Sequence, residues 1–325
     1  METMAAHTQT QRALLQAADA ARYAPSVHNT QPWRWVVRPD RLELFAATER
    51  QLPVLDPDRH LLLISCGAAL HHAHIVLDAE GWRHRIERPA GEPLAVIHPT
   101  THGPVDPAAI RHFQQLQARR TDRRTVGDDP VDPAVLDTLA TVSEQAGARL
   151  HPLSRDQVIE LAVLIEQAEK TQSADERLRA ETAAWAGGDR PEGTGIPGVS
   201  LPQELPLTTV AERDFGTTGS LAAGPGHDTA ATYAVLYGPG DEPSDWLRAG
   251  EALNALWLAA TEHGVDLLPL SSPVEVPFTR HELRRLLDAV GNPYLVVRLG
   301  LHDPAHAGPA HTPRLPTDQV IKVID

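Results

Sequence analysis

Two stretches of the chain hold residues whose types and spacing could do chemistry. Arg119-Arg120-Thr121-Asp122-Arg123-Arg124 is the densest positive charge in a protein whose formal net charge is −14. Guanidinium forks match phosphate oxygens, and a threonine hydroxyl completes such a cradle. The same run also suits a solvated helix end, where cations meet the negative pole of the macrodipole. The second stretch is Pro25-Ser26-Val27-His28-Asn29-Thr30-Gln31-Pro32-Trp33. Its prolines fix φ and forbid helix, while Ser26, Asn29 and Gln31 offer donors and acceptors from a loop braced at both ends. A loop so built can read a flat heteroaromatic ligand, or it can serve as a connector that caps a helix and a strand. His311-Thr312-Pro313-Arg314 is a further phosphate-type element, weak by itself.

Other candidates carry less. His71, His72 and His74 fall in one helical stretch, where 71 and 74 share a face; without a further ligand they read as packing or interface histidines, and no metal site is assigned. Gly216-Thr217-Thr218-Gly219-Ser220 lacks the lysine and the following apolar helix of a phosphate loop. Cys66, the single cysteine, excludes an internal disulfide and sits in an apolar run, which suits buried packing better than nucleophilic work. The acidic balance argues against a nucleic-acid surface. No apolar run approaches the roughly 20 residues that span a bilayer, so the expectation is a soluble, cytoplasmic protein that takes a small molecule.

The elements that must position these residues follow from periodicity. A first helix is expected over residues 12–22, a hairpin over 35–38 and 42–45, and a central helix, apolar on most faces, over 59–79. Strands 82–87 and 94–98 follow, with Thr100 to Pro104 breaking the pattern, and a helix begins at Asp106-Pro107. The second half repeats the plan, with helices over 132–146, 156–172, 174–186, 245–263 and 279–289 and strands over 148–151, 230–237 and 294–299. Setting Gly67-Ala68-Ala69-Leu70 against Gly250-Glu251-Ala252-Leu253 brings Gly81 onto Gly264 without a gap. That points to a duplicated α+β unit whose copies pack like the protomers of a dimer. Residues 187–228 stand apart, too long for an ordinary connection, with embedded apolar residues that favour a lid over disorder.

Taken together, the two stretches and the C-terminal element resemble the FMN-dependent nitroreductase family, in particular its fused, double-length Acg-like branch. The family's Pro-Ser-x-x-Asn-x-Gln-Pro-Trp loop is present as Pro25, Ser26, Asn29, Gln31, Pro32 and Trp33. Its phosphate-holding Arg-x-Ser/Thr-x-Arg/Lys segment matches at Arg119, Thr121 and Arg123, with Arg120 as a helper. Its second basic pair matches only at Arg314, because Thr312 occupies the other position. Pro269-Leu270-Ser271-Ser272 stands where the family has the turn that faces the flavin N5 edge, with serines replacing a glutamate and a glycine.

The resemblance implies a nitroreductase-like α+β fold in two tandem pseudo-symmetric halves, residues 1–103 and 104–325. Each would carry a mostly antiparallel sheet flanked by helices, packed as an intramolecular pseudo-dimer, alone or as a loose homodimer. It implies one FMN per chain, with the twin site filled by side chains, and NAD(P)H as electron donor. The flavin would pass hydride through N5 to an electron-poor acceptor such as a nitroaromatic or a quinone, without a dedicated catalytic side chain. A second reading is a protein that stores FMN under its lid with little turnover, and a third is a flavin dehydrogenase with its own metabolite. His28, beside the loop, reads as structural or as a proton donor.

Overall fold

The computed structural model describes residues 9–188, 190–222, 227–301 and 309–324. The chain opens with α1 (Gln9–Ala21), whose Ala13, Leu14, Ala17, Ala18 and Ala21 form one buried face. Then come the hairpin β1 (Trp33–Val37) and β2 (Leu42–Ala46), the long α2 (His60–Ala79), and β3 (Trp82–Glu87) with β4 (Ala95–His102). β4 runs through His102 instead of breaking at Thr100, because Thr101 and His102 pair with Arg83 and Trp82 across the ladder. Next are α3 (Pro107–Ala118) and α4 (Pro133–Gln145). Each begins with proline after an aspartate whose side chain accepts the N–H two residues on.

β5 (Arg149–Pro152), α5 (Arg155–Ala174) and α6 (Glu176–Ala184) lead into the long insertion. Beyond it lie β6 (Thr232–Gly238), α7 (Pro243–Glu262), β7 (Val265–Leu270), the single turn α8 (Ser272–Glu275), α9 (Pro277–Leu286), β8 (Asn292–Leu301), α10 (Thr317–Val320) and β9 (Ile321–Val323). Pro269 and Leu270 thus end a strand and Ser272 starts a helical turn, where the sequence suggests one continuous turn.

Two sheets result, ordered β3-β4-β2-β1-β9 and β5-β6-β8-β7. Every pairing is antiparallel except β1 with β9. Residues 321–323 therefore return to the sheet of the first half, so a cut at 103/104 divides the chain but not the sheets.

Between the sheets α2 and α7 pack against each other along their length. α2 is buried on nearly every face, as its composition demands. Among the described residues it is the one helix long and apolar enough to cross a membrane, yet 83% of that stretch lies inside the protein. The crossing is reciprocal. A Cβ on Gly67 would lie 1.9 Å from the Leu247 carbonyl oxygen, and one on Gly250 would lie 2.0 Å from that of Ile64. Leu247 and Ile64 each precede their own helix's glycine by three positions. Four positions beyond the glycines, the Asn254 Nδ2 meets the His71 Nδ1 at 2.8 Å. Equivalent residues thus touch across the helix pair, the signature of a two-fold relation inside one chain.

Candidate active site

A cavity partly open to solvent lies beside this crossing and draws on both halves. The loop after α1 supplies Pro25, Ser26, Val27, His28 and Asn29, and α2 supplies Leu61, Ile64, Ser65 and Ala68. Arg119, Thr121 and Arg123 come from the segment after α3, Leu253 and Trp257 from α7, and Leu268 to Ser272 from the end of β7 and the start of α8. Thr312 and Arg314 close one end. Of the residues singled out in the sequence, Pro25, Ser26, Asn29, Arg119, Thr121, Arg123, Pro269, Leu270, Ser271, Ser272 and Arg314 meet here, while Gln31 and Arg120 do not.

The loop is held in a costly conformation. His28, Asn29 and Gln31 all have positive φ, at 44°, 54° and 53°. Such backbone persists in non-glycine residues only when its surroundings over-determine it. Here the Gln31 N–H donates to the Ser26 Oγ and the Val27 N–H to the Ser65 Oγ, tying the loop to itself and to α2. The Asn29 amide nitrogen donates to the carbonyls of Gly195 and Pro313, and its oxygen accepts from Arg314. Gln31 donates to the Gly193 carbonyl and accepts from the Leu315 N–H, fully buried and out of the cavity. The expectation that Gln31 lies along a ligand ring is therefore corrected. Its amide fastens the start of the insertion and the C-terminal segment to the loop. Arg120 turns back onto the carbonyl of Ala118.

The cationic end is unusual in a protein with 43 acidic residues. Arg119 is 5% exposed, with its guanidinium 4.6 Å from the centre of the Trp257 ring, and its Nε and Nη1 are buried without a hydrogen-bond partner. Burial, reinforced by Arg314 and Arg120, pulls its pKa down to about 9. Arg314 donates to Asn29 and to the carbonyl of Tyr23, its Nε also lacks a partner, and burial brings its pKa down to about 10. No carboxylate pairs with either guanidinium among the described residues. Buried cations left this way are destabilising unless an anion arrives to accept their free N–H groups. These donors fit the phosphate of a flavin mononucleotide. Arg123 lies farther along, donating to the Ser200 carbonyl with its guanidinium 5.5 Å from the centre of the Phe215 ring.

The insertion supplies part of the cavity wall. Ile196, Ala211, Glu212, Arg213 and Phe215 line it. Glu212 is tied to Arg298, which also holds Asp228. Burial, against the pull of Arg298 and Arg123, pushes the Glu212 carboxyl up to about 7. Arg213 pairs with Glu275 of α8 at 2.5 Å. The one available sequence signal was Ala211-Glu212-Arg213-Asp214-Phe215, a charged and aromatic run inside a stretch rich in Gly, Pro and Thr. His28 packs edge-on against Phe215, and burial, then Arg213 and Arg123, hold its pKa well below the ordinary range. Burial and the neighbouring arginines thus favour its neutral form.

Cys66 is buried, and its thiol donates to the Pro32 carbonyl, consistent with packing. On the other side of the crossing, the residue after Gly250 is Glu251, where the residue after Gly67 is the cavity-lining Ala68. Glu251 is 5% exposed and gripped by two bonds from Arg88, of 2.9 and 2.7 Å.

Two sheets around a reciprocal helix pair, with a cavity fed by both halves, define a nitroreductase-like α+β protein. No family model matches the chain. Over 311 residues it is 33% identical to Rv3131 of Mycobacterium tuberculosis H37Rv, provisionally named an NAD(P)H nitroreductase, covering 92% of this chain and 88% of the relative. The protein acg of the same strain, named in the same way, is 30% identical over 315 residues, covering 94% of each. Among solved structures, the FMN-dependent nitroreductase NfnB of Mycobacterium smegmatis in complex with NADPH is 16% identical. It covers 66% of this chain and 98% of its own with a TM-score of 0.40, an overlap on which nothing further rests. The chain belongs to the NAD(P)H nitroreductase family, in its Acg-like branch.

Proposed function

We propose that the protein is an FMN-dependent oxidoreductase of nitroreductase type that binds one flavin per chain in the cavity between its halves. The observation that carries this reading is the buried Arg119, whose Nε and Nη1 have no hydrogen-bond partner, beside Arg314, whose Nε has none, with no carboxylate paired to either among the described residues. They would hold the FMN phosphate, with Thr121 and Arg123 beside them. The Pro25 to Asn29 loop, α2 at Ala68, and the edge from Pro269 to Ser272 would bracket the ring. When bound, the flavin supplies hydride transfer through its N5, from NADH or NADPH to an electron-poor acceptor such as a nitroaromatic or a quinone. Arg213, kept charged by Glu275, would place positive charge at the cavity wall where negative charge develops. Ile196 and Phe215 would exclude water from the ring. We further propose that residues 1–103 and 104–325 are the two units, that the chain works as a monomer or loose homodimer, and that it acts in the cytoplasm.

One observation favours a second reading, storage of FMN with little turnover. The insertion is pinned from several sides, by Asn29 and Gln31 at its start and by the Glu212–Arg298 and Arg213–Glu275 pairs at the cavity. Anaerobic reduction separates the two. NADH or NADPH bleaching the flavin within seconds supports the enzyme; bleaching by dithionite alone supports storage. A protein that takes up no FMN from solution would overturn both.

A further inference from the structure

The C-terminal end of α2 carries a side-chain cluster that flavin binding does not use. His74 and Asp78 are one turn apart on the same face of the helix. Gly81 then reverses the chain with φ 80°, so close to the Gly103 carbonyl that a Cβ would lie 2.3 Å from its oxygen. The tight reversal brings His84, third residue of β3, back beside the last turn of α2. The Asp78 carboxylate ends up between two imidazoles, one oxygen 3.7 Å from the His74 Nδ1 and the other 3.6 Å from the His84 Nδ1. One potential ligand atom from each of the three residues lies within 4.8 Å of the others.

These spacings are too long for hydrogen bonds. Two ligands at about 2.0–2.1 Å from a tetrahedral zinc ion lie roughly 3.3 Å apart, a few tenths of an ångström inside the two His–Asp distances, so binding would draw the two imidazoles inward from a separation of at most 4.8 Å. The His84 Nδ1 is also buried without a hydrogen-bond partner, on a side chain that is only 10% exposed. His71, whose ring contacts that of His74, is not available as a ligand at Nδ1 because that atom is engaged by Asn254. The cluster has an entry path, since Asp78 opens onto a hollow whose walls include Asp106 and His112. Sequence inspection groups His74 with its helical neighbours; the partners that matter here come from one turn on and from the next strand.

We propose that His74, Asp78 and His84 bind a divalent ion of the zinc class, with a fourth position facing the hollow. Two imidazoles and one carboxylate suit zinc, cobalt or nickel, whereas magnesium and calcium ask for an oxygen shell. The ion would tether the end of the central helix to the edge strand β3, away from the flavin cavity.

Calorimetric titration of the untagged, chelator-treated full chain with Zn²⁺ tests this. One saturable site per chain is expected, with affinity reduced at least about 100-fold in both His84→Ala and Asp78→Asn. Asp78→Asn keeps the shape of the side chain, and melting curves in chelator confirm that each variant is folded. FMN uptake should be the same with and without Zn²⁺, so this result stands or falls apart from the flavin assignment. Absence of a saturable site, or equal affinity in wild type and both variants, would overturn it.

Discussion

The two sides of the α2–α7 crossing start from one plan and end differently. On one side Ala68 leaves space, and Arg119 and Arg314 have, among the described residues, no acidic partner. On the other, the equivalent position is Glu251, its carboxylate locked by Arg88. The first arrangement is unfavourable until an anion and a flat ring fill it; the second has satisfied its own charge and needs no ligand. A duplicated scaffold can thus keep cations without acidic partners on one side while the other side satisfies its own charge. The retained site stores its cost in unpaired cations and left-handed backbone, both of which a bound ligand can offset.

Breaking what both sides share should have the largest effect. Gly250→Val drives a side chain into the Ile64 carbonyl and should cost about 3 kcal/mol or more, read as loss of a cooperative melt or of soluble protein. A variant melting like wild type would mean that the helices can slide apart. Glu251→Ala makes the closed side resemble the open one. It strands Arg88, a quarter exposed, and should lower stability by about 1–3 kcal/mol in chemical denaturation. FMN content should stay at one per chain, because space without the arginines does not make a site. A rise towards two would show that the ion pair alone had closed the twin.

The smallest effect concerns pH. The folded-state pKa of Glu212, about 7, lies above the ordinary 4.5. Its protonation therefore favours the folded form, a contribution complete below about pH 4.5 and lost as pH rises through 7. Wild type should accordingly lose stability relative to Glu212→Gln between pH 5 and 7, measured as the difference in Tm between the two. A constant difference across that window would place the titration elsewhere.

How much of this was legible in the sequence depends on the range of the interactions. The helices, the hairpin and the duplication follow from periodicity and from the glycine spacing, which are local. The arginine cluster and the proline-braced loop were visible as residue types. What Asn29 and Gln31 bond was not, because all but one of their side-chain partners lie 162 to 285 positions away. Gln31 looked like a ligand contact and proved to be a fastener. Arg120 looks like Arg119 in the sequence, yet Arg119 is buried against Trp257 while Arg120 bonds the Ala118 carbonyl. β4 outran its apolar pattern because an edge ladder with β3 holds polar residues, and β9 crosses to the other half's sheet for want of any local signal. Glu212 and Arg213 belonged to a stretch with no period to read.

The most direct test is the FMN content and affinity of Arg119→Ala/Arg314→Ala beside wild type. Wild type should bind one FMN per chain. Losing charged hydrogen bonds worth about 1.5–3 kcal/mol each should weaken FMN by roughly 10²- to 10⁴-fold in the double variant. Melting curves of the flavin-free proteins should confirm that the double variant is folded, since Arg314 also donates to Asn29 and to the Tyr23 carbonyl. Full FMN retention by the double variant would contradict the account.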